Sequence, residues 1–177
     1  SNPRMLFDDP LYILIKGFPF SISLLGILLF HEFGHYTASR IHGVNVSLPY
    51  CIPAFMISPI GTFGAFIKSK SAFINKRQLL DIGAAGPLSG LVIAIIVFSI
   101  GIAGSTVMPI PKDLSGAMAI GDSLLNMAIT YLVKGPIPEG QTIFYNSVAF
   151  AGWVGIFVTM LNLLPISCPP ARRDLEA

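Results

Sequence analysis

The chain has 177 residues and is unusually apolar: 53% of its residues are hydrophobic, only 11% are charged, and the mean hydropathy is +0.73. Because a soluble domain carries about a quarter charged residues, this composition excludes an ordinary soluble domain and predicts a membrane protein. The formal net charge of +2 includes no dense basic block, so we expect no nucleic-acid partner. The two cysteines, Cys51 and Cys168, have neither the number nor the spacing of a disulfide framework or a metal site.

Three apolar segments are long enough to cross the hydrocarbon core of a bilayer, which takes about 20 helical residues. They lie at about 11–39, 84–104 and 144–166. All three contain Gly, Ala and Ser, the small residues that let membrane helices approach one another closely. We therefore predict an all-α multi-pass membrane protein with about three transmembrane helices and a single membrane-embedded core over residues 1–170.

The loop between the first and second spans has little helical periodicity and is rich in Pro, Gly and β-formers. Its stretch IGTFGAFIK, with Gly61 and Gly64, predicts a short strand or hairpin. The loop is too apolar to lie wholly in water, and non-helical backbone is tolerated at membrane depth only against protein or a wet cavity. We expect a short membrane-associated β-hairpin here, followed by an interfacial connection, AFINKRQLLDIG, into the second span.

The loop between the second and third spans contains the apolar stretch GAMAIGDSLLNMAITYLVKG. We expect it to form a short interfacial or extracytoplasmic helix. The alternative is a weak fourth span, against which Asp122 and Asn126 count, because polar groups are costly in the hydrocarbon core.

Positive charges in the loops predict the orientation of the chain in its membrane. The first loop carries five Lys and Arg residues, the second carries two, and two more arginines follow the third span. The first loop and the C-terminus are therefore expected to face the cytoplasm, although Arg4 and Lys16 favour the opposite orientation. We expect an integral protein of the lipid bilayer, in the cytoplasmic membrane of a prokaryote.

The stretch GILLFHEFGHYTAS places His31, Glu32 and His35 against an apolar run in the first span. A helix puts residues i and i+4 on one face, so the two imidazoles can share a zinc ion at about 2.0–2.1 Å from each nitrogen. Glu32 lies beside them and can act as general base toward a metal-activated water. A catalytic zinc site normally has a third protein ligand as well.

The alternative is that these three side chains are structural polar residues, or that the motif arose by chance. Their position in an apolar helix decides between the two hypotheses. A charged group near the centre of a membrane helix costs at least about 2.5–3.5 kcal/mol on insertion scales, and such residues usually have a function. A bound metal satisfies both imidazoles, so the metal hypothesis is favoured.

In their order along the chain, four motifs resemble those of the site-2 proteases, the intramembrane zinc metallopeptidases. They are His31-Glu32-Phe33-Gly34-His35 in the first span, IGTFGAFI in the loop, GAAGPLSG opening the second span, and NLLP (positions 162–165) ending the third. The resemblance covers nearly the whole chain. It implies zinc-dependent cleavage of a peptide bond within or near the bilayer, in a transmembrane protein substrate whose helix unwinds at the cut.

The resemblance also implies roles for individual residues. His31 and His35 bind zinc, and Glu32 activates water. The strand edge containing Gly61, Thr62, Phe63 and Gly64 binds extended substrate by strand addition, a purely structural hairpin being the alternative. Asn162 binds substrate backbone or orients a ligand, with an ordinary interhelical hydrogen bond as the alternative. Small residues at the start of the second span allow close packing against the first.

The chain departs from the family pattern after Asn162. In the family, Asn-x-x-Pro is followed by a Leu-Asp-Gly triplet whose aspartate is the third zinc ligand. Counted from Asn162, that aspartate falls at position 170, where this chain has Pro170, and Asp174 lies four positions later. Proline has no side-chain donor for zinc, so the chain as it stands is expected to have an incomplete site.

The genetic code offers an explanation for this departure. The residues Pro-Ala-Arg-Arg that begin at Pro170 can be encoded as CCA GCT CGA CGG, which reads Gln-Leu-Asp-Gly one base later. We hypothesise a frameshift shortly before Pro170, which makes the chain a C-terminally truncated fragment with an aberrant tail over 171–177. The first residue, Ser1 rather than Met, also suggests a fragment.

Two other classes of protein compete with the intramembrane endopeptidase. A catalytically incomplete pseudoprotease that binds membrane-protein segments is favoured by Pro170 and disfavoured by the intact His-Glu-x-x-His motif. A metal or proton transporter would be expected to place polar relay residues in the other spans too. Those spans offer only Ser, Thr, Tyr and Asn, so the transporter ranks last.

Overall fold

The computed structural model describes residues 10–44, 46, 50–53, 62–66, 76–110, 121 and 123–163. These residues form four helices and four short strands. In chain order the elements are α1 (Pro10–Ile41), β1 (Tyr50–Pro53), β2 (Thr62–Phe66), α2 (Lys76–Ala103), β3 (Thr106–Pro109), α3 (Leu124–Lys134), β4 (Gln141–Phe144) and α4 (Ser147–Leu163).

Two of the described helices, α1 and α2, are long and apolar enough to cross a membrane. The segment Gly17–Ile41 of α1 has a mean hydropathy of 1.3, and Arg77–Ala103 of α2 has a mean hydropathy of 2.2. They correspond to the first two predicted spans. The expected interfacial connection before the second span overlaps the start of α2, which already begins at Lys76, and its interfacial position stays a prediction. KRQLL consists of good helix formers, so the helix starts before its apolar part.

The third predicted span corresponds to α4, which has 17 described residues, about 25 Å at the rise of an α-helix. The hydrocarbon core is about 30 Å thick, so the count of three spans is not confirmed. The expected start of this span is also wrong, because Phe144 lies in β4. Asn146 begins α4 as its N-cap, where its Oδ1 accepts a hydrogen bond of 2.8 Å from the Ala149 N–H.

The contacts divide the described chain into two compact units, the first within 1–27 and 92–156 and the second within 28–91 and 157–177. In the first unit α4 lies directly against the second half of α2. A Cβ built on Gly152 would lie 2.6 Å from the Phe98 backbone, and one built on Gly101 would overlap the Ala149 backbone. Glycine at both positions therefore permits the close approach, and Phe98 is fully buried there.

A two-stranded ribbon connects the end of α2 with the start of α4. β3 and β4 pair antiparallel, from Thr106 opposite Phe144 to Pro109 opposite Gln141. At its base the buried Ser105 hydroxyl donates to the Gly101 carbonyl at 2.8 Å and accepts from the Asn146 N–H at 3.1 Å. This bridge holds the end of α2 beside the start of α4. The ribbon was not predicted from the sequence.

The short helix expected between the second and third spans is confirmed as α3. The Ser123 side chain caps its N-terminus by accepting a hydrogen bond of 3.2 Å from the Asn126 N–H. Gly135 ends it with φ +77°, a left-handed conformation that glycine adopts without steric cost. The interfacial position of this helix is not tested by these contacts and stays a prediction.

The second unit holds the expected β element. β1 and β2 pair antiparallel, with Tyr50 opposite Phe66 and Cys51 opposite Ala65, and the register shifts before Pro53 meets Thr62. This small sheet lies between α1 and α2 in the sequence, as predicted, and its depth in a membrane stays a prediction. In the same unit the last part of α1 runs antiparallel to the first part of α2, and beyond the end of α1 the His42 Nε2 lies 3.2 Å from the Asp81 carboxyl group.

Candidate metal centre

His31 and His35 lie on one face of α1, one turn apart, with their rings turned toward each other. The two Nε2 atoms are 3.2 Å apart, and the rings meet edge to face with centroids 4.9 Å apart. Two nitrogen ligands at 2.0–2.1 Å from a tetrahedral zinc ion are themselves separated by about 3.3 Å. The spacing of this pair therefore matches that of two ligands to one zinc ion.

A backbone carbonyl of α2 fixes the orientation of His35. The Nδ1 atom of His35 lies 2.7 Å from the Ile82 carbonyl oxygen. A carbonyl only accepts hydrogen bonds, so Nδ1 carries the proton and donates it, and the lone pair of Nε2 faces the His31 ring. This is how the ring orientation and tautomer of a metal-binding histidine are usually set.

Two glycines of α2, one turn apart, make room for the two imidazoles. A Cβ built on Gly86 would overlap the His35 ring. A Cβ built on Gly90 would lie 3.1 Å from the His31 Cβ, 3.2 Å from its Nδ1 and 2.9 Å from the methyl group of Thr159. Since any side chain at Gly86 would occupy the position of His35, the geometry of the pair depends on this glycine.

A second contact fixes the register of the two helices beside the histidines. A Cβ built on Gly34 of α1 would overlap the Ala85 carbonyl and the Ser89 hydroxyl of α2. The Ser89 Oγ lies 2.8 Å from both the Phe30 and the Gly86 carbonyl oxygens. Backbone and small side chains therefore carry this contact, which places α2 within hydrogen-bonding distance of His35.

The donor atoms present fit a zinc ion in part. Two imidazole nitrogens converge on an apolar helix. His31 is 6% exposed, and its Nδ1 has no hydrogen-bond partner among the described residues. When Nε2 binds a cation, Nδ1 carries the ring proton, so we expect its acceptor to come from outside those residues. The described residues form no group of three or more His, Cys, Asp and Glu side chains that could hold a metal.

The remaining predicted site residues lie in several places. Glu32 is half-buried on α1, directly after His31. Thr62, Phe63 and Gly64 belong to β2, and Asn162 is exposed in the last turn of α4. Gly61 and Pro170 lie outside the described residues. The structure thus brings the two histidines together and leaves the substrate-binding assignments as predictions.

One contributor to this site, the Ile82 carbonyl, was not predicted from the sequence. A backbone acceptor has no sequence signature of its own. The spacing of Ile82, Gly86 and Gly90 at intervals of four residues does place them on one face of α2. Read together with the four-residue spacing of the two histidines, that pattern could have predicted the contact between the histidines and this face of α2.

A His-Glu-x-x-His motif in an apolar helix, packed against a second helix lined with glycines, is typical of one class of proteins. That class is the membrane proteins of metallopeptidase type. The family model of peptidase family M50 matches residues 19–168, so the chain belongs to that family. The resemblance to the site-2 proteases is thereby confirmed.

Curated relatives support this assignment. The chain is 32% identical to the probable zinc metalloprotease EGY1, chloroplastic, of Oryza sativa subsp. japonica over 168 residues, which are 91% of this chain and 28% of that protein. It is 32% identical to the EGY1 protein of Arabidopsis thaliana over 161 residues, covering 89% and 29% of the two chains. Identity to the probable zinc metalloprotease EGY2, chloroplastic, of Arabidopsis thaliana is 30% over 162 residues, covering 89% and 28%.

The chain spans less than a third of the length of these curated relatives. The relatives are chloroplast proteins of plants, so the expected location in a prokaryotic cytoplasmic membrane is not confirmed, whereas the two apolar helices support a membrane protein. No solved structure matches the chain.

Proposed function

We propose that this chain is the core of an intramembrane zinc metalloendopeptidase that cleaves transmembrane protein substrates. The observation that carries the proposal is the pair of Nε2 atoms, 3.2 Å apart on an apolar helix. Membership of peptidase family M50 and similarity to proteins named zinc metalloproteases support the same chemistry.

Apolar side chains exposed along the long helices support a position inside the bilayer. On α2 the exposed stripe recurs every four residues, at Leu88, Val92, Ile96 and Ile100, which are 49–63% exposed. On α1 a similar outward surface includes Phe18, Ile22, Leu25, Leu29 and Phe33. Contiguous apolar surface of this extent is unfavourable in water, and lipid chains would cover it.

Each residue of the motif has its own task in this proposal. His31 and His35 would hold zinc through Nε2, with the Ile82 carbonyl keeping the His35 ring in place. When bound, the zinc ion supplies a Lewis acid that polarises the peptide carbonyl and acidifies water. The Glu32 carboxylate takes the proton from the attacking water and later delivers it to the amine of the leaving peptide.

The substrate would reach this site as an extended segment. A helical segment keeps its carbonyls in backbone hydrogen bonds, so a transmembrane substrate has to unwind before its peptide bond is attacked. The described β1–β2 sheet has two strands, so within this sheet one edge of β2 pairs with β1. The other edge of β2 is suited to the addition of an extended substrate strand. Asn162, exposed at the end of α4, would contact the substrate backbone.

Zinc content and cleavage test this proposal together. The detergent-purified chain and its His35→Ala variant are analysed for zinc per chain, and both are incubated with a model transmembrane substrate. A third variant restores Leu-Asp-Gly in place of the residues around Pro170. We expect zinc loss in His35→Ala and cleavage by the restored chain, whereas a restored chain that binds zinc without cleaving would contradict the protease.

The second candidate function is a pseudoprotease that binds membrane-protein segments without cleaving them. The observation that favours it is Pro170 at the position of the expected third ligand. Substrate capture without cleavage, by both the natural and the restored chain, would support this function. Cleavage only after restoration would show that the family's chemistry depends on the missing aspartate.

A further inference from the structure

Helix α3 exposes a row of large apolar side chains. Leu124 is 86% exposed, Leu132 is 82% exposed, and Met127 and Tyr131 between them are 57% and 64% exposed. Their spacing of three, four and one residues keeps them on one side of the helix. We call these four residues the outward face of α3.

The buried side of α3 is more polar than its outward face, although it also includes Ile129, which is 6% exposed. Asn126 is 3% exposed, and its Oδ1 has no hydrogen-bond partner among the described residues. Thr130, one turn later, is half-buried. A surface helix in water turns its polar residues outward and its leucines inward, whereas a helix in lipid turns polar residues toward protein. The polarity of α3 is therefore that of a helix in contact with lipid.

Hydrogen bonds place the end of α3 at the end of the apolar helix α2. The Lys134 ammonium, in the last turn of α3, donates a hydrogen bond of 2.9 Å to the carbonyl of Ala103, the last residue of α2. The Ser105 bridge ties the start of α4 to the same level. The outward face of α3 thus continues from the place where α2 would leave the hydrocarbon core.

The length and the end residues of α3 define how deeply it can lie. Its 11 residues extend about 16 Å, too short to cross a core of about 30 Å. Tyr131 and Lys134 near its C-terminus are of the residue types found at the headgroup level, where Tyr places its amphipathic ring and Lys its charge.

From these contacts we propose that the outward face of α3 lies in the interfacial layer of the lipid bilayer, parallel to the surface, and anchors the end of α2 there. The partner is the lipid itself, at the boundary of headgroups and acyl chains. This inference rests on the membrane position of α2 in the proposed function and is independent of zinc and of proteolysis.

Tryptophan fluorescence in vesicles tests the inference. The full chain carries one tryptophan, Trp153, which is first replaced by Phe. Single tryptophans are then introduced as Leu124→Trp and Leu132→Trp on the outward face, with Met127→Trp as a further position if one variant fails to fold. Ile96→Trp on the exposed stripe of α2 and Glu139→Trp in the turn just before β4 serve as controls. The vesicles contain phosphatidylcholine with bromine atoms either near the headgroup or near the ends of the acyl chains.

For Leu124→Trp and Leu132→Trp we expect bromines near the headgroup to quench about half of the fluorescence or more, since interfacial helices lie roughly 5–10 Å into the headgroup and acyl boundary. Quenching by the deep bromines and by aqueous acrylamide should be weaker. Ile96→Trp should respond most to the deep bromines, and Glu139→Trp to acrylamide.

If Ile96→Trp responds to the lipid bromines but acrylamide strongly quenches both outward positions, the inference is overturned. Protection from acrylamide without bromine quenching would overturn it too, because a second copy or another protein segment would then cover the face. If Ile96→Trp also fails to respond to lipid, the membrane position of α2 fails, and the inference fails with it.

Discussion

At the scale of single residues, the candidate metal centre depends on atoms that are not ligands. The His35 imidazole is held by the Ile82 carbonyl and lies in the space that the missing side chain of Gly86 leaves free. These two features turn an i, i+4 pair of histidines into a pair with converging Nε2 atoms. The ligand residues alone would leave the ring of His35 free to rotate.

The first prediction concerns Gly86→Ala. The added methyl group would occupy the place of the His35 ring, so the ring has to leave the Ile82 carbonyl. Because loss of such outer hydrogen bonds typically lowers metal affinity, we expect zinc affinity to fall roughly 10–100-fold, measured by competition with a chromophoric chelator. Gly26→Ala, where an added Cβ meets no atom within 4 Å, should leave it unchanged; equal affinities in the two variants would contradict the prediction.

The second prediction concerns Glu32→Gln in the chain with Leu-Asp-Gly restored. Glutamine keeps the shape of the side chain and cannot accept the proton. We expect cleavage of the model substrate to slow roughly 10²–10⁴-fold, the usual contribution of a general base, with zinc content unchanged. Zinc loss in this variant would instead place Glu32 among the ligands, and unchanged cleavage would exclude it as the base.

At the scale of elements, close helix contacts through glycine organise both units. In the first unit Gly101 and Gly152 let α4 lie against α2, and in the second Gly34 brings α1 to Ala85 and Ser89. At these glycines the separation of the helices is set by backbone and small side-chain atoms. Such contacts are characteristic of membrane helices, which associate by packing and hydrogen bonds rather than by the hydrophobic effect.

The third prediction tests the contact between α2 and α4. In Gly152→Ala the new Cβ meets the Phe98 backbone at 2.6 Å, which no rotamer change relieves. We expect a loss of about 1–3 kcal/mol in the free energy of unfolding, the usual cost of overpacking, measured in mixed detergent and dodecyl sulfate. Gly26→Ala is again the matched control and should be neutral or slightly stabilising, since alanine favours a helix interior. Equal stability of the two variants would argue against the contact.

At the scale of the whole molecule, the number and direction of membrane crossings decide where the candidate centre operates. Two described helices can cross by length and composition, and the described part of α4 is about one turn shorter than the core is thick. The positive loop charges predict that the start of α2 faces the cytoplasm and its end faces outward.

The fourth prediction follows from that orientation. In a chain whose two cysteines are replaced by serine, single cysteines are introduced as Arg77→Cys at the start of α2 and Glu139→Cys beyond its end. We expect a membrane-impermeant maleimide to label Glu139→Cys in intact cells and Arg77→Cys only after permeabilisation. Labelling of both from outside would show that α2 does not cross, and the reverse pattern would overturn the orientation alone.

The sequence allowed more of the helical framework to be predicted than of the strands. Long apolar runs identify α1 and α2 because crossing a bilayer requires a fixed length of apolar helix. The pairing of Val107 with Ile143 joins segments that are short, weakly patterned and far apart in the chain. Its hydrogen bonds depend on the helices that bring the two segments together, so local propensity could not reveal it.

For the metal centre, the sequence alone determined that His31 and His35 share a helical face, because four residues are close to one helical turn. It also determined that the position expected to supply a further ligand holds Pro170. The tertiary structure decided that the two Nε2 atoms converge to 3.2 Å and that His35 donates to Ile82, 47 residues away. A helical pattern fixes the direction of a side chain from its own helix, whereas the rotation of its ring is fixed by the atoms of the helix packed against it.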